Sequence, residues 1–201
     1  VAVLALADRA VERDRVPAHL HDAPRLLDRH LRPQRDLLHG WCQLQRLLEQ
    51  YGVDTVFGIP GVHTLEYYRG LADSPIRHVT PRHEQGAGYA ADGFARTSRR
   101  PGVAVVTSGP AVFNAATAMA QAYSDSSPVL LVSPGMERGR PTTGPGTGFL
   151  HEAKDQIGVM ERVVACALRP ETHQEIADAV AARVGGIASA TGAVPGRTMS
   201  N

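Results

Sequence analysis

Residues 80–96, Thr-Pro-Arg-His-Glu-Gln-Gly-Ala-Gly-Tyr-Ala-Ala-Asp-Gly-Phe-Ala-Arg, join a short extended run to a stretch of small residues at helical spacing. Arg77-His-Val-Thr-Pro81 is expected to be a strand that Pro81 stops, and Glu84 to Arg96 a helix. Glu84 then opens that helix, where the macrodipole favours an ionised carboxylate. From spacing alone, the simpler reading of Glu84 is a first-turn acid that satisfies the dipole. Gly86, Ala87, Gly88, Ala90 and Ala91 argue for more. They let the helix lie close against another backbone, which would enclose the carboxylate. Enclosed carboxylates at such an edge often carry acid–base roles.

Outward from this turn, the chain alternates strands and helices. Leu44, Leu47 and Leu48 share a helical face, and Gly52 stands where a C-terminal cap belongs. Thr55–Ile59 reads as a buried strand stopped by Pro60-Gly61, and His63–Ala72 as a helix. Gly102–Ser108 and Pro128–Ser133 are apolar on both faces, as central parallel strands are. A helix from Gly109-Pro110 to Ser124 separates them. Val163–Leu168 is a fifth strand, and Glu171–Val184 a final helix with Ile176, Val180 and Val184 in one row. This order predicts an α/β fold, an open parallel sheet with helices on both faces. Ligands of such sheets bind at the carboxyl ends of the strands, here the turns at 60–63, 81–84, 108–111 and 134–151.

Composition narrows the function classes. The charges nearly cancel, 21 Lys+Arg against 20 Asp+Glu, so no basic field for nucleic acid is evident. No apolar run reaches the roughly 20 residues of a membrane span, and no signal-peptide pattern is present. Cys42 and Cys166 are too few for a disulfide framework or a zinc site. A soluble, cytoplasmic protein is expected. Residues 1–43 are rich in Arg, His and Pro without sustained periodicity and are expected to be a poorly ordered extension. Lys154 is the single lysine among the 21 basic residues, which suggests a GC-rich coding sequence. Residues 1–43 are the kind of text that a shifted reading frame of such a gene yields. The α/β domain is assigned to 44–184, and 185–201 to an irregular tail.

Three further groups bear on chemistry. Gly144-Pro-Gly-Thr-Gly148 resembles a phosphate loop but lacks the Lys-Ser/Thr of a Walker motif and reads as a mobile loop. His151, Glu152 and Asp155 share a face if helical, yet no second histidine is near, so polar pocket lining or plain solvent exposure is preferred to a metal site. Ser108 lies outside any Gly-x-Ser-x-Gly pattern, which argues against a hydrolase.

Three ordered segments carry a resemblance: Leu47-Leu-Glu-Gln-Tyr-Gly-Val-Asp-Thr-Val-Phe-Gly-Ile-Pro-Gly61, the Arg82–Arg96 block, and Ala115-Ala-Thr-Ala-Met-Ala-Gln-Ala-Tyr-Ser-Asp-Ser-Ser-Pro-Val-Leu131. Together with Phe149–Gln156 they resemble the N-terminal pyrimidine-binding domain of thiamine-diphosphate enzymes of the acetolactate synthase and 2-oxoacid decarboxylase superfamily, over roughly residues 44–184. The resemblance implies that Glu84 hydrogen-bonds the aminopyrimidine of thiamine diphosphate and promotes the imino tautomer that activates the thiazolium carbon. It places Gly58, Pro60 and Gly61 in a close-approach turn beside the pyrimidine, and Asn114 at the asparagine of a Gly-Pro-Gly-x-Thr-Asn pattern. His151 falls on the substrate side, where acetolactate synthases more often have glutamine. It further implies a cofactor shared between subunits, a small 2-oxo acid substrate, and a homodimer or a diphosphate-binding partner subunit.

The sequence also departs from the pattern. Ala111 and Phe113 replace the second glycine and the small hydroxyl residue of Gly-Pro-Gly-x-Thr-Asn, and the final strand of the Pro-Val-Tyr-Ile-Glu-Ile-Pro type is missing from 185–201. Neither the Gly-Asp-Gly nor the Asn-Asn motif that holds diphosphate and Mg2+ occurs. The chain is therefore expected to contact only the pyrimidine half of the cofactor, to hold no metal itself, and to be inactive alone. Three readings follow: an incomplete acetolactate synthase-like chain, a separate pyrimidine-binding subunit of a two-chain decarboxylase, or a non-catalytic dimerisation or regulatory module.

Overall fold

A computed structural model of the chain describes residues 2–6, 39–135 and 148–185. Strands β2 (Thr55–Gly58), β3 (Arg77–Val79), β4 (Gly102–Val105) and β5 (Val129–Pro134) pair in parallel in the order β3-β2-β4-β5. Beyond β5 the sheet continues through β1 (Ala2–Leu6) to β6 (Cys166–Leu168). β1 runs antiparallel to both neighbours, with Leu4 opposite Val132 on one side and Leu168 on the other. β6 therefore keeps the direction of the parallel strands.

The strand period of two sorts the core into two layers. Val103, Val105, Leu130 and Val132 face one cluster, and Ala104, Val106, Val129 and Leu131 face the other. The first is covered by α1 (His39–Gln50) through Leu44, Leu47 and Leu48, by α2 (Leu65–Leu71) through Leu71, and by α6 (His173–Val180) through Ile176 and Val180. The second is covered by α3 (Glu84–Ser98), α4 (Pro110–Ser124) and α5 (Gln156–Glu161), using mainly alanines plus Met119 and Met160. Helices thus lie on both faces of a mainly parallel sheet, as the alternation predicts. Gly52 has φ 75° and ends α1 as expected.

The small-residue face of α3 is used as the sequence suggests. Gly88 packs on Ala118 of α4, where a Cβ on Gly88 would lie 2.6 Å from the Ala118 Cβ. At the other end of this helix pair, Arg96 donates to both carboxylate oxygens of Asp92 at 3.0 Å and also bonds Asp125. The Arg96 hydrogen bond lowers the pKa of Asp125 below the usual carboxylate range. Ala111 is buried within α4 and Phe113 points outward, so the helix accommodates both departures.

Several elements differ from expectation. Ala2–Leu6 is a strand within the segment expected to be irregular, and α1 begins at His39, before the assigned boundary at 44. The apolar run Val1–Ala7 has no alternation to give a periodic signal, and the partners of its strand come from the far end of the chain. Helix 63–72 splits into a 3-10 turn, Val62–Thr64, and α2. The final helix ends as a π-helical turn, Ala181–Gly185. The rest of 1–43, Gly144–Thr147 of the glycine-rich loop and the tail after 185 lie outside the described residues.

Two adjacent tyrosines on α2 distinguish burial from bonding. Tyr67 is fully buried and its hydroxyl has no partner among the described residues, whereas Tyr68 donates to the Val105 carbonyl at 3.1 Å. Burial raises both phenols above the ordinary tyrosine pKa. Tyr67→Phe is expected to leave stability unchanged or slightly raised, because it removes an unsatisfied buried group. Tyr68→Phe should cost about 1 kcal/mol by removing the bond to the Val105 carbonyl. Urea midpoints of the two variants check this.

Candidate active site

Strand β3 ends just before Pro81, and His83 then takes an extended conformation and caps α3, its Nδ1 accepting from the Gln85 N–H at 3.2 Å. This cap fixes Glu84 as the first helical residue, half-buried at the carboxyl end of the sheet. Its Oε2 accepts a 2.9 Å hydrogen bond from Asn114 Nδ2 on α4. The close α3–α4 packing at Gly88 brings the two side chains together. Oε1 is left as the carboxylate oxygen without an assigned bond among the described residues, available to a ligand donor.

The neighbouring turn comes from β2. Gly58 is buried and fits where a Cβ would fall 2.0 Å from the Val105 carbonyl oxygen. The Gly58 carbonyl lies 2.9 Å from His78 Nε2. Pro60 is exposed, and the Gly61 N–H donates to Thr64 Oγ1 at 3.0 Å. A Cβ on Gly61 would touch the Thr107 side chain at 3.0–3.3 Å. Thr107 itself is buried, and its Oγ1 has no hydrogen-bond partner among the described residues.

Gly109 begins α4 with φ 62°, a conformation that suits glycine. Its missing side chain admits the His151 carbonyl, which would lie 2.0 Å from a Cβ there. Gln156 secures the junction: Oε1 accepts from the Gly109 N–H at 2.7 Å, and Nε2 donates to the Pro134 carbonyl at 3.1 Å. His151 sits in a turn at φ 58°, not on a helix. Asp155 instead caps α5 by accepting from Gly158 N–H at 2.8 Å. The helical face proposed for His151, Glu152 and Asp155 is thus not formed, because the cap starts the helix after them. Among the described residues no three His, Cys, Asp or Glu side chains are grouped to hold a metal.

Of the residues singled out in the sequence, Glu84 and Asn114 are bonded to each other, while Gly58, Pro60, Gly61 and His151 occupy neighbouring turns of the same edge. Sequence reasoning did not pair His63 with Ser108, whose Nδ1 and Oγ lie 2.6 Å apart. Nor did it find Thr107 or Gln156 as parts of this edge. Their signal was position: each follows or bounds a strand-ending turn on the carboxyl side.

Glu84, with one open carboxylate oxygen, and the glycine turn at Gly58–Gly61 lie at the carboxyl edge of an α/β sheet, where ligands of such folds bind. The chain belongs to the thiamine pyrophosphate enzymes: residues 40–159 match the family's N-terminal TPP binding domain. It is 50% identical over 171 residues to a probable 2-ketoarginine decarboxylase of Pseudomonas aeruginosa, covering 84% of this chain and 30% of that protein. It is 48% identical over 103 residues to an acetolactate synthase of Mycobacterium bovis, covering 51% of this chain and 17% of that protein. With the mitochondrial acetolactate synthase catalytic subunit of Saccharomyces cerevisiae it shares 38% over 143 residues, 68% of this chain and 20% of that protein. The chain thus spans less than a third of the length of these relatives.

Proposed function

We propose that this chain supplies the pyrimidine side of a thiamine diphosphate site in a 2-oxo acid decarboxylase or carboligase, with Glu84 as the catalytic carboxylate. The observation that carries the proposal is the Glu84–Asn114 pair, which leaves one carboxylate oxygen for the cofactor ring. When bound, thiamine diphosphate supplies the electron sink for loss of carbon dioxide from a 2-oxo acid. Glu84 holds a proton against the ring nitrogen, and Asn114 fixes the carboxylate's orientation. Gly58, Pro60 and Gly61 form the backbone wall beside the ring, and His151 lines the substrate side.

Diphosphate and Mg2+ are assigned to another domain or a partner subunit, and a homodimer is the alternative assembly. Supporting an interface, large apolar side chains are exposed on the site-bearing segments: Val62, Leu65, Tyr89, Phe113, Phe149 and Leu150. No helix among the described residues is long and apolar enough to cross a membrane, and a cytoplasmic location is part of the proposal.

A chimera tests this function. Residues 39–185 replace the aligned segment of the Pseudomonas aeruginosa relative, and decarboxylation of 2-ketoarginine is followed. Thiamine-dependent turnover is expected to survive the exchange. A folded chimera that binds thiamine diphosphate but forms no product would contradict the proposal.

A further inference from the structure

Strands β2 to β6 all run one way, and β1 alone runs against them, separating β5 from β6. Residues 7–38 lie between β1 and α1. The strand pairs with β5 along its whole length, from Ala2 opposite Pro134 to Leu6 opposite Leu130. Leu4, Ala5 and Leu6 also pair with β6, which has no other strand partner among the described residues. A cavity of about 450 Å³ lies against β6, lined by Cys166, Ala167 and Leu168 with Glu161 and Arg183. β6 is therefore joined to the sheet through β1.

The crossovers define whose place β1 has taken. α2, on the first core layer, carries the chain from β2 to β3. α3, α4 and α5, on the second layer, carry it the opposite way across the sheet, from β3 through β4 and β5 to β6. One hand thus governs every parallel crossover. α6 leaves β6 over the first layer, so a parallel strand after it would return on the β5 side of β6. That is the slot β1 fills. Residues 186–201 hold no apolar run as long as Val1–Ala7.

The slot is apolar on both layers. Leu130, Leu131 and Val132 of β5 are at most 1% exposed. Register sets Leu4 between Val132 and Leu168, of the first layer, and Ala5 between Leu131 and Ala167, of the second. An empty slot would leave N–H and C=O groups of β5 unpaired beside those side chains, the arrangement that recruits an added strand. We infer that the gap between β5 and β6 is a strand-binding site for an extended apolar segment, and that Ala2–Leu6 is its ligand, carried on the same chain. Occupancy ties β6 and α6 to the rest of the sheet. A charge at position 4 would fall between two apolar neighbours of the first layer, which excludes charged segments. Each N–H of Leu4, Ala5 and Leu6 faces either β5 or β6, so proline at any of them removes a ladder bond.

The test is hydrogen–deuterium exchange on the 201-residue chain, read in fragments covering β2, β4, β5 and β6. Ala5→Pro is expected to speed exchange in β5 and β6 about fivefold or more, the effect of about one lost hydrogen bond. β2 and β4 should keep their protection. Leu4→Ala, which keeps the backbone bonds, should give a smaller change confined to the same two strands. The free peptide of residues 1–9 is then added at about 1 mM, the order of effective concentration that a tethered strand reaches. It should restore protection in both variants, and the same peptide carrying Ala5→Pro should not. The inference is overturned if β6 keeps its protection in both variants, or if β2 and β4 open along with it in both, since the segment would then be core rather than ligand. It is overturned equally if the native and proline peptides act alike.

Discussion

Glu84→Gln in the chimera is expected to lower kcat by about 10²–10⁴, the usual contribution of a positioned acid–base group. That range corresponds to about 2.7–5.5 kcal/mol of transition-state stabilisation. Glutamine keeps the size of the side chain, and its amide oxygen can still accept from Asn114. It cannot hold and release a proton against a ring nitrogen. KM for the 2-oxo acid should therefore change little while kcat falls, the pattern of an interaction made in the chemical step. Asn114→Ala should give a smaller loss, because it frees the carboxylate's orientation without removing its charge. Steady-state kinetics on the three proteins check this, and a Glu84→Gln activity within about threefold of the parent would sink the assignment.

The second large effect is on stability. Gly88→Val is expected to destabilise the chain by about 3 kcal/mol, the upper part of the range for overpacking a tight contact. The site has no room for even one added carbon, since a Cβ would lie 2.6 Å from that of Ala118. Valine adds two methyl groups beyond that and is a weaker helix former than alanine. α3 must then move off α4, and the Glu84–Asn114 bond spans those same two helices. Ala118→Gly placed in the same chain should recover about 1 kcal/mol or more by reopening the space. Urea denaturation of the single and double variants measures both numbers. Additive losses would show that the two residues do not share one contact.

How much of this was legible in the sequence depends on the range of the signal. β4 and β5 were legible because continuous apolar runs between Gly, Pro and Ser punctuation leave few alternatives. The start of α3 at Glu84 was legible from Pro81 and the small residues that follow. The pairing of Glu84 with Asn114 was not derivable from spacing, since 30 residues separate them and only the packing at Gly88 closes the gap. His63–Ser108 was missed for the same reason: each residue is ordinary in its own turn, and the sheet order puts β2 beside β4. The His151–Glu152–Asp155 expectation failed on a local cause, because Asp155 was read as helical when its side chain caps α5. β1 escaped because its partners are the sheet's farthest strands in sequence, β5 and β6.

The central claim is that Glu84, held by Asn114 at the carboxyl edge of the sheet, meets the pyrimidine ring of thiamine diphosphate. A crystal structure of the chimera with thiamine diphosphate and Mg2+ bound measures this directly. The predicted result is a Glu84 carboxylate oxygen within about 3.2 Å of a pyrimidine ring nitrogen, hydrogen-bond distance, with Asn114 still on the other oxygen. A bound cofactor whose ring nitrogen bonds some other group, with Glu84 turned away from it, would contradict the account.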